Sequence, residues 1–239
     1  MSPVIFAFVD GSVDAGINMV PSDKKSPLSH QGELVVLVHG FGRTARDMRT
    51  LKKYFDAAGY ETFTPTLPSW IVRVSGCAGM LSRRIEKLDT DYTRIHFVGH
   101  SMGGLIIRAM FAQREVKGLG RCVLIGTPNG GTPLAEIVVR RIPPVAWLFR
   151  PYYDLYEGMD IGAPLNVPPP EMGAIAGTDD GLRFGSWIGG ESDGRVPVGS
   201  VPFGGMTEMI TLPYHHEEIH HKKDTAEYIE RFLVSGAFK

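Results

Sequence analysis

The sequence predicts an α/β domain with a mostly parallel central sheet flanked by helices, on three observations. Short β-rich apolar runs alternate with longer segments whose apolar residues recur at three- and four-residue steps, the order that builds a parallel sheet covered on both faces. The 239 residues suffice for one large domain, read as residues 1–239. A hydrophobic fraction of 43% beside 21% charged residues supplies a core of ordinary size.

Taken in order, Leu34 to Val38, Arg94 to Val98 and Arg121 to Ile125 are the clearest strands. Glu61 to Thr64, Met172 to Ala176 and Met209 to Leu212 are weaker ones. Helical spacing runs over Ala45 to Ala58, Gly79 to Leu88, Met102 to Gln113 and Lys222 to Leu233. Ser22 to Gln31 and Asn166 to Pro170, polar or proline-rich, read as surface loops.

Charge and composition exclude several classes. A net charge of -1, with basic runs no longer than Lys52-Lys53 and Arg140-Arg141, leaves no surplus for phosphate contacts, so nucleic acid is not an expected partner. Cys77 and Cys122 are too few for a disulfide scaffold, and Cys122 in its apolar run reads as a small buried hydrophobe; one disulfide between them stays open. The apolar run Val4 to Val9 is too short for a signal-peptide core, and no stretch reaches the roughly 20 residues of a membrane span. The expectation is a soluble chain without stable membrane insertion, cytoplasmic in preference to secreted.

The chemistry concentrates at strand ends. Gly99-His100-Ser101-Met102-Gly103 lies between a strand and a helical run, where a serine on a sharp turn is lifted out of the sheet. Small neighbours are needed because the chain folds back closely on itself. Ser101 is therefore the candidate nucleophile. His39-Gly40-Phe41-Gly42 follows a neighbouring strand, and the backbone N–H groups of Phe41 and Met102 are candidate oxyanion donors. Thr127 to Thr132 ends a third strand and reads as pocket wall or plain turn.

A serine hydroxyl needs an imidazole to accept its proton and a carboxylate to orient that imidazole. Asp193, in Glu191-Ser192-Asp193-Gly194-Arg195, is the candidate acid, with Asp179 and Asp180 as competitors. The base comes from His215 or His216, while His220 and His221 read as a solvated helix start. The same letters contain a rival: His216-Glu217-Glu218-Ile219-His220 satisfies H-E-x-x-H, which on a helix would present two imidazoles to zinc with Glu217 as base.

These residues together resemble the compact bacterial lipases and esterases of the α/β-hydrolase superfamily, from about Leu34 to the end. The likeness rests on His39-Gly40-Phe41-Gly42-Arg43, Gly99-His100-Ser101-Met102-Gly103-Gly104, Gly126-Thr127-Pro128-Asn129-Gly130-Gly131 and Asp193-Gly194-Arg195-Val196-Pro197. It implies a triad of Ser101, Asp193 and a histidine. By the spacing to Ile219 and Phe232-Leu233 in such lipases, that histidine is His216 in preference to His215. It also implies that residues 137–165, rich in Ile142, Trp147, Leu148, Phe149 and Tyr152, form a cap or lid. Trp147, Phe149 and Tyr152 would then wall a pocket for small-molecule esters or lipids with apolar acyl chains. This reading requires no cofactor and no metal; a zinc hydrolase and a non-catalytic binding protein are its alternatives.

Overall fold

A computed structural model of the chain describes residues 5–6, 30–88, 92–158 and 170–239. Residues 22–29 and 166–169 of the expected loops, most of the Val4 to Val9 run and the last residues of the 137–165 insertion lie outside the described residues.

Six strands run parallel: β2 (Glu33–Val38), β3 (Glu61–Phe63), β4 (Arg94–His100), β5 (Leu119–Ile125), β6 (Met172–Gly177) and β7 (Glu208–Leu212). A two-residue strand, β1 (Ile5–Phe6), pairs antiparallel with β7, giving the order β1-β7-β6-β5-β4-β2-β3. Pairing β2 with both β3 and β4 reverses the direction of travel at β2. The loops leaving β2 and β4 therefore part, opening a crevice at their carboxyl ends.

Strand residues bury both faces, as expected of a parallel sheet between helices. Leu34, Val36 and Val38 of β2 face a core that includes Leu81 of α2 (Val74–Glu86) and Leu105 of α3 (Met102–Gln113). Val35 and Leu37 face the opposite core with Phe55 of α1 (Arg49–Ala57) and Phe232 of α7 (Lys223–Ser235). Alternation at period two is what lets one strand serve both layers. Cys77 and Cys122 are free, buried thiols in the first layer.

Two helices depart from the sequence expectation. The segment expected as one helix from Ala45 begins as a 3-10 turn over Ala45–Met48, capped by Thr44 Oγ1 accepting from Arg46 N–H at 3.4 Å, before α1 starts. α2 starts at Val74, five residues before Gly79, since Gly76 and Gly79 interrupt the apolar spacing.

Between β5 and β6 stand α4 (Pro133–Arg141), α5 (Pro143–Leu148) and α6 (Pro151–Glu157). Each begins on proline, whose fixed φ and missing donor suit a first turn. Buried Asp154 of α6 ties them to the body: it accepts from Arg73 Nε at 3.0 Å, Arg73 Nη2 at 2.8 Å and the Val74 N–H at 3.1 Å. Asp154→Ala strands those donors at the start of α2, so urea unfolding should show a loss of about 2–3 kcal/mol. Limited proteolysis should then cut within residues 133–157; a variant as stable and resistant as the parent would show that the anchor is idle.

Candidate active site

At the end of β4 the chain turns into α3 through Ser101, whose backbone lies at φ 56 and ψ -128. An L-residue held there is strained by about 1–3 kcal/mol and persists only when its surroundings impose it. They do so through both peptide groups. Ser101 N–H donates to Ile125 O at 2.8 Å, and Ser101 O accepts from Gly104 N–H at 3.0 Å and Thr127 Oγ1 at 3.1 Å.

Space around the turn explains its glycines. A Cβ on Gly103 would sit 2.2 Å from Val38 O, one on Gly99 2.6 Å from Gly104 N, and one on Gly104 2.1 Å from Thr127 Oγ1. A Cβ on Gly40 would come within 2.9 Å of the Ser101 Cβ. The β2 loop and the Ser101 turn are thus in direct contact.

That β2 loop is held by His39. Its Nε2 accepts from Leu67 N–H at 3.0 Å, so Nδ1 carries the proton and donates to Gly40 O at 2.9 Å. Ser69 Oγ donates to the same carbonyl at 2.9 Å. The turn closes with Arg43 N–H on Gly40 O at 3.3 Å, which leaves the Phe41 N–H out of the turn's own bonding. Met102 is the first residue of α3, so its N–H has no intrahelical acceptor.

Asp193 and His216 meet directly. His216 Nδ1 lies 2.6 Å from Asp193 Oδ2, and Asp193 Oδ1 accepts from the Arg195 and Val196 N–H groups at 3.0 and 2.7 Å. One carboxylate oxygen is therefore fixed by its own turn and the other by the imidazole. The backbones join as well, His216 N–H donating to Asp193 O at 2.8 Å. Asp193 is 1% exposed, whereas Asp179 and Asp180 face solvent. His215 instead faces Glu218, Nε2 to Oε2 3.6 Å.

The pair stands beside the serine turn. A Cβ on Gly126, the residue after the Ser101 backbone partner, would fall 3.0 Å from Asp193 Oδ2 and 3.1 Å from His216 Nδ1. The rings of His100 and His216 are 4.8 Å apart. Residues from four loops thus converge at the carboxyl edge of the sheet.

Sequence reasoning missed the supports. The Thr127 to Thr132 loop is a brace as well as a turn: Asn129 Oδ1 accepts from the buried Arg108 at 2.5 Å, Asn129 Nδ2 donates to Val201 O at 2.6 Å, and Thr132 Oγ1 donates to Arg195 O beside Asp193. The signal was present in the Thr and Asn side chains, which bond backbone in turns. The solvated reading is corrected for His220, which is 1% exposed in a 3-10 turn (Ile219–His221) packed against His100, whereas His221 is exposed as expected. The H-E-x-x-H segment is likewise no helix, its residues 216–218 forming a turn, and Glu217 pairs with Arg195 at 3.1 Å.

Of the expected pocket residues, Tyr152 packs on Phe41 with ring centroids 5.1 Å apart, and Phe149 lies 6.3 Å from Trp70. Trp147 points outward, 66% exposed, which reflects its place on the outer side of the short α5.

The profile of the α/β-hydrolase family matches residues 35–207, which span most of β2, β3 to β6, the serine turn and the Asp193 loop. The chain belongs to the α/β-hydrolase family. Among solved structures, this α/β hydrolase is similar to a mature lipase from Bacillus licheniformis, with a TM-score of 0.68, 16% identity, and coverage of 90% of this chain and 96% of that one. It is also similar to a metagenomic carboxyl esterase, with a TM-score of 0.67, 15% identity, and coverage of 90% and 72%. A pyrethroid hydrolase from Sphingobium faniae matches at a TM-score of 0.52 and 15% identity, covering 85% and 97%. At such identities the likeness is one of fold. Comparison with curated protein sequences finds no significant match. Among the described residues, no helix is long and apolar enough to cross a membrane.

Burial gives this hydrolase an acid-sensitive support. Desolvation holds the His39 and His96 imidazoles below their ordinary pKa of 6.5, and His96 Nδ1, like His39 Nε2, accepts a backbone N–H, from Arg121 at 2.9 Å. Below pH 6.5 the unfolded chain binds protons that the folded rings refuse, so their stabilisation is complete above that pH and lost as pH falls toward the folded values. Urea midpoints should drop between pH 7.5 and 5, each ring contributing up to about 1.4 kcal/mol per pH unit. His39→Gln, which keeps an acceptor, should flatten the slope; a slope identical to the parent's would remove His39 from this account.

Proposed function

We propose that the chain is a serine carboxylic ester hydrolase acting through an acyl-enzyme on Ser101. The observation that carries this reading is the bonded pair of Asp193 and His216 set beside a serine in strained backbone at the head of α3. Asp193 Oδ2 holds the proton of His216 on Nδ1, which leaves Nε2 with a lone pair for the serine.

His216 Nε2 takes the Ser101 hydroxyl proton as Oγ bonds the ester carbon. The carbonyl oxygen becomes an oxyanion, received by the N–H groups of Phe41 and Met102. The carbon–oxygen bond to the alcohol then breaks, and the leaving oxygen takes the proton from His216. Water repeats the sequence: His216 removes its proton, the new hydroxyl attacks the acyl carbon, and Ser101 Oγ departs with the proton. The acid product leaves and the enzyme is restored.

The preferred substrates carry apolar acyl chains. Tyr152 on Phe41 brings α6 beside the proposed oxyanion loop, and Phe149 against Trp70 extends an apolar surface outward to Trp147 and Leu148, which are 66% and 58% exposed. Such exposed aromatic and aliphatic side chains suit an amphipathic ester.

A fluorophosphonate probe should label the parent chain at Ser101 and leave Ser101→Ala unlabelled. Asp193→Asn should cost about 10⁴-fold in kcat by fixing the wrong tautomer, and His216→Ala should cost as much while His215→Ala changes turnover little. Equal, mild losses in the two histidine variants would reject the assignment. Across p-nitrophenyl esters, kcat/KM should rise from acetate to medium chains, and Trp147→Ala should lower it for the long chains alone; strict preference for short, charged acyl groups would sink the substrate reading.

A further inference from the structure

Behind His216 the fold buries more imidazole than ester hydrolysis uses. His100 stacks on His220 with ring centroids 3.8 Å apart, and His220 meets His221 at 3.9 Å. Asp47, from the 3-10 turn that follows the β2 loop, faces all three. Its Oδ2 lies 3.2 Å from His220 Nε2 and 3.8 Å from His100 Nδ1, and its Oδ1 lies 3.9 Å from His221 Nε2.

The bonding of this cluster is incomplete. His220 is 1% exposed, yet neither of its ring nitrogens has a hydrogen-bond partner among the described residues, and neither does Asp47 Oδ2. At 3.2 Å the two are close enough to bond, so the failure is one of alignment. His100 Nε2 donates to His216 O at 3.0 Å, which leaves the neutral ring with a bare lone pair on Nδ1, buried and also unpartnered, toward the same carboxylate. Unpartnered ring nitrogens gathered on a partly buried carboxylate make a donor set suited to a positive occupant.

We infer that Asp47, His220 and His221 form a binding site for a divalent transition-metal cation of the zinc type. Their ligand atoms lie within 4.8 Å of one another. His220 Nε2 lies 3.2 Å from one carboxylate oxygen, close to the spacing of about 3.3 Å that tetrahedral bonds of about 2.0–2.1 Å impose, and His221 Nε2 lies 3.9 Å from the other. Two imidazoles favour zinc over calcium, which seeks six or more oxygens. Thr50 Oγ1, 3.3 Å from His221 Nδ1, can take that ring's proton and turn Nε2 toward the carboxylate. The His221 side chain is 38% exposed, which gives an ion a way in.

Arg43 and Arg49 stand near enough to oppose a cation, which lowers the affinity expected of the site. The site differs from the H-E-x-x-H pattern because it leaves His216 on Asp193. A bound ion would clamp the 3-10 turn beyond the β2 loop to the turn that carries His216, stiffening the edge without entering the ester chemistry.

The full chain, stripped with chelator and dialysed, is titrated with zinc by calorimetry and with cobalt by its visible d–d absorption, with calcium as comparison. One zinc per chain, a rise in Tm with zinc and none with calcium are the expected results. His221→Ala, at the most exposed ligand, and Asp47→Asn should each weaken zinc by at least the roughly 10-fold that loss of an outer-shell partner already costs. His216→Ala should bind zinc as the parent does. Absence of saturable zinc binding and of a cobalt band in the parent chain overturns the inference, and needs no variant to fold. Parent-like affinity in His221→Ala and Asp47→Asn, or loss of binding in His216→Ala, overturns it too. Fluorophosphonate labelling of the metal-free chain reads the ester-hydrolase proposal separately, since labelling without zinc binding, or the reverse, separates the two.

Discussion

The first turn of α3 runs so close beneath the ends of β2 and β4 that no side chain fits between them, and the arrangement of this edge follows from that contact. A Cβ at Gly103 would overlap the Val38 carbonyl and one at Gly104 would overlap the Thr127 side chain. Closing the gap presses the chain at Ser101 into a backbone region that an L-residue avoids. The strain is offset by the packing of α3, whose residues from Met102 to Phe111 are all buried. A helix apolar on every side is stable only inside a core, so the sheet, the helix and the serine turn form together or not at all.

Around that turn, polar groups do the positioning and most of them are neutral. His39 accepts a peptide N–H, and Thr127, Asn129 and Ser69 hold carbonyls or loops in place. Neutral supports cost less to bury than charges and place no net field on the serine. The charged members are fewer and paired: Asp193 is enclosed by two peptide N–H groups and His216, and Asp154 by Arg73 and Val74.

Much of this was legible in the letters. β2, β5, β6 and β7 stand on short apolar runs and α3 coincides with its expected bounds, because burial on both faces writes a continuous apolar signature, while the edge strand β3, Glu-Thr-Phe without a buried residue, carries the weakest one. Residue type and order pointed to Asp193 and to His215 or His216, the likeness to lipases selected His216, and the geometry brings Asp193 and His216 together. What escaped was non-local. Pro133, Pro143 and Pro151 start three short helices in a segment that read as one apolar insertion, since each is too short for a periodic pattern. His220 read as solvated because nothing near it in sequence announces Asp47 or His100, which reach it from elements more than a hundred residues away.

The loops bearing Asp193 and His216 are joined through the two side chains, through the ion pair of Arg195 with Glu217 and through the bond from His216 N–H to Asp193 O. A displacement of either segment carries the other with it, so their mutual registry does not depend on the exact placement of β6, β7 or α7. The two loops can therefore diverge in length and composition as a single cassette. Changes of length or composition in either loop would then reshape what lies around the pair while leaving the pair in register.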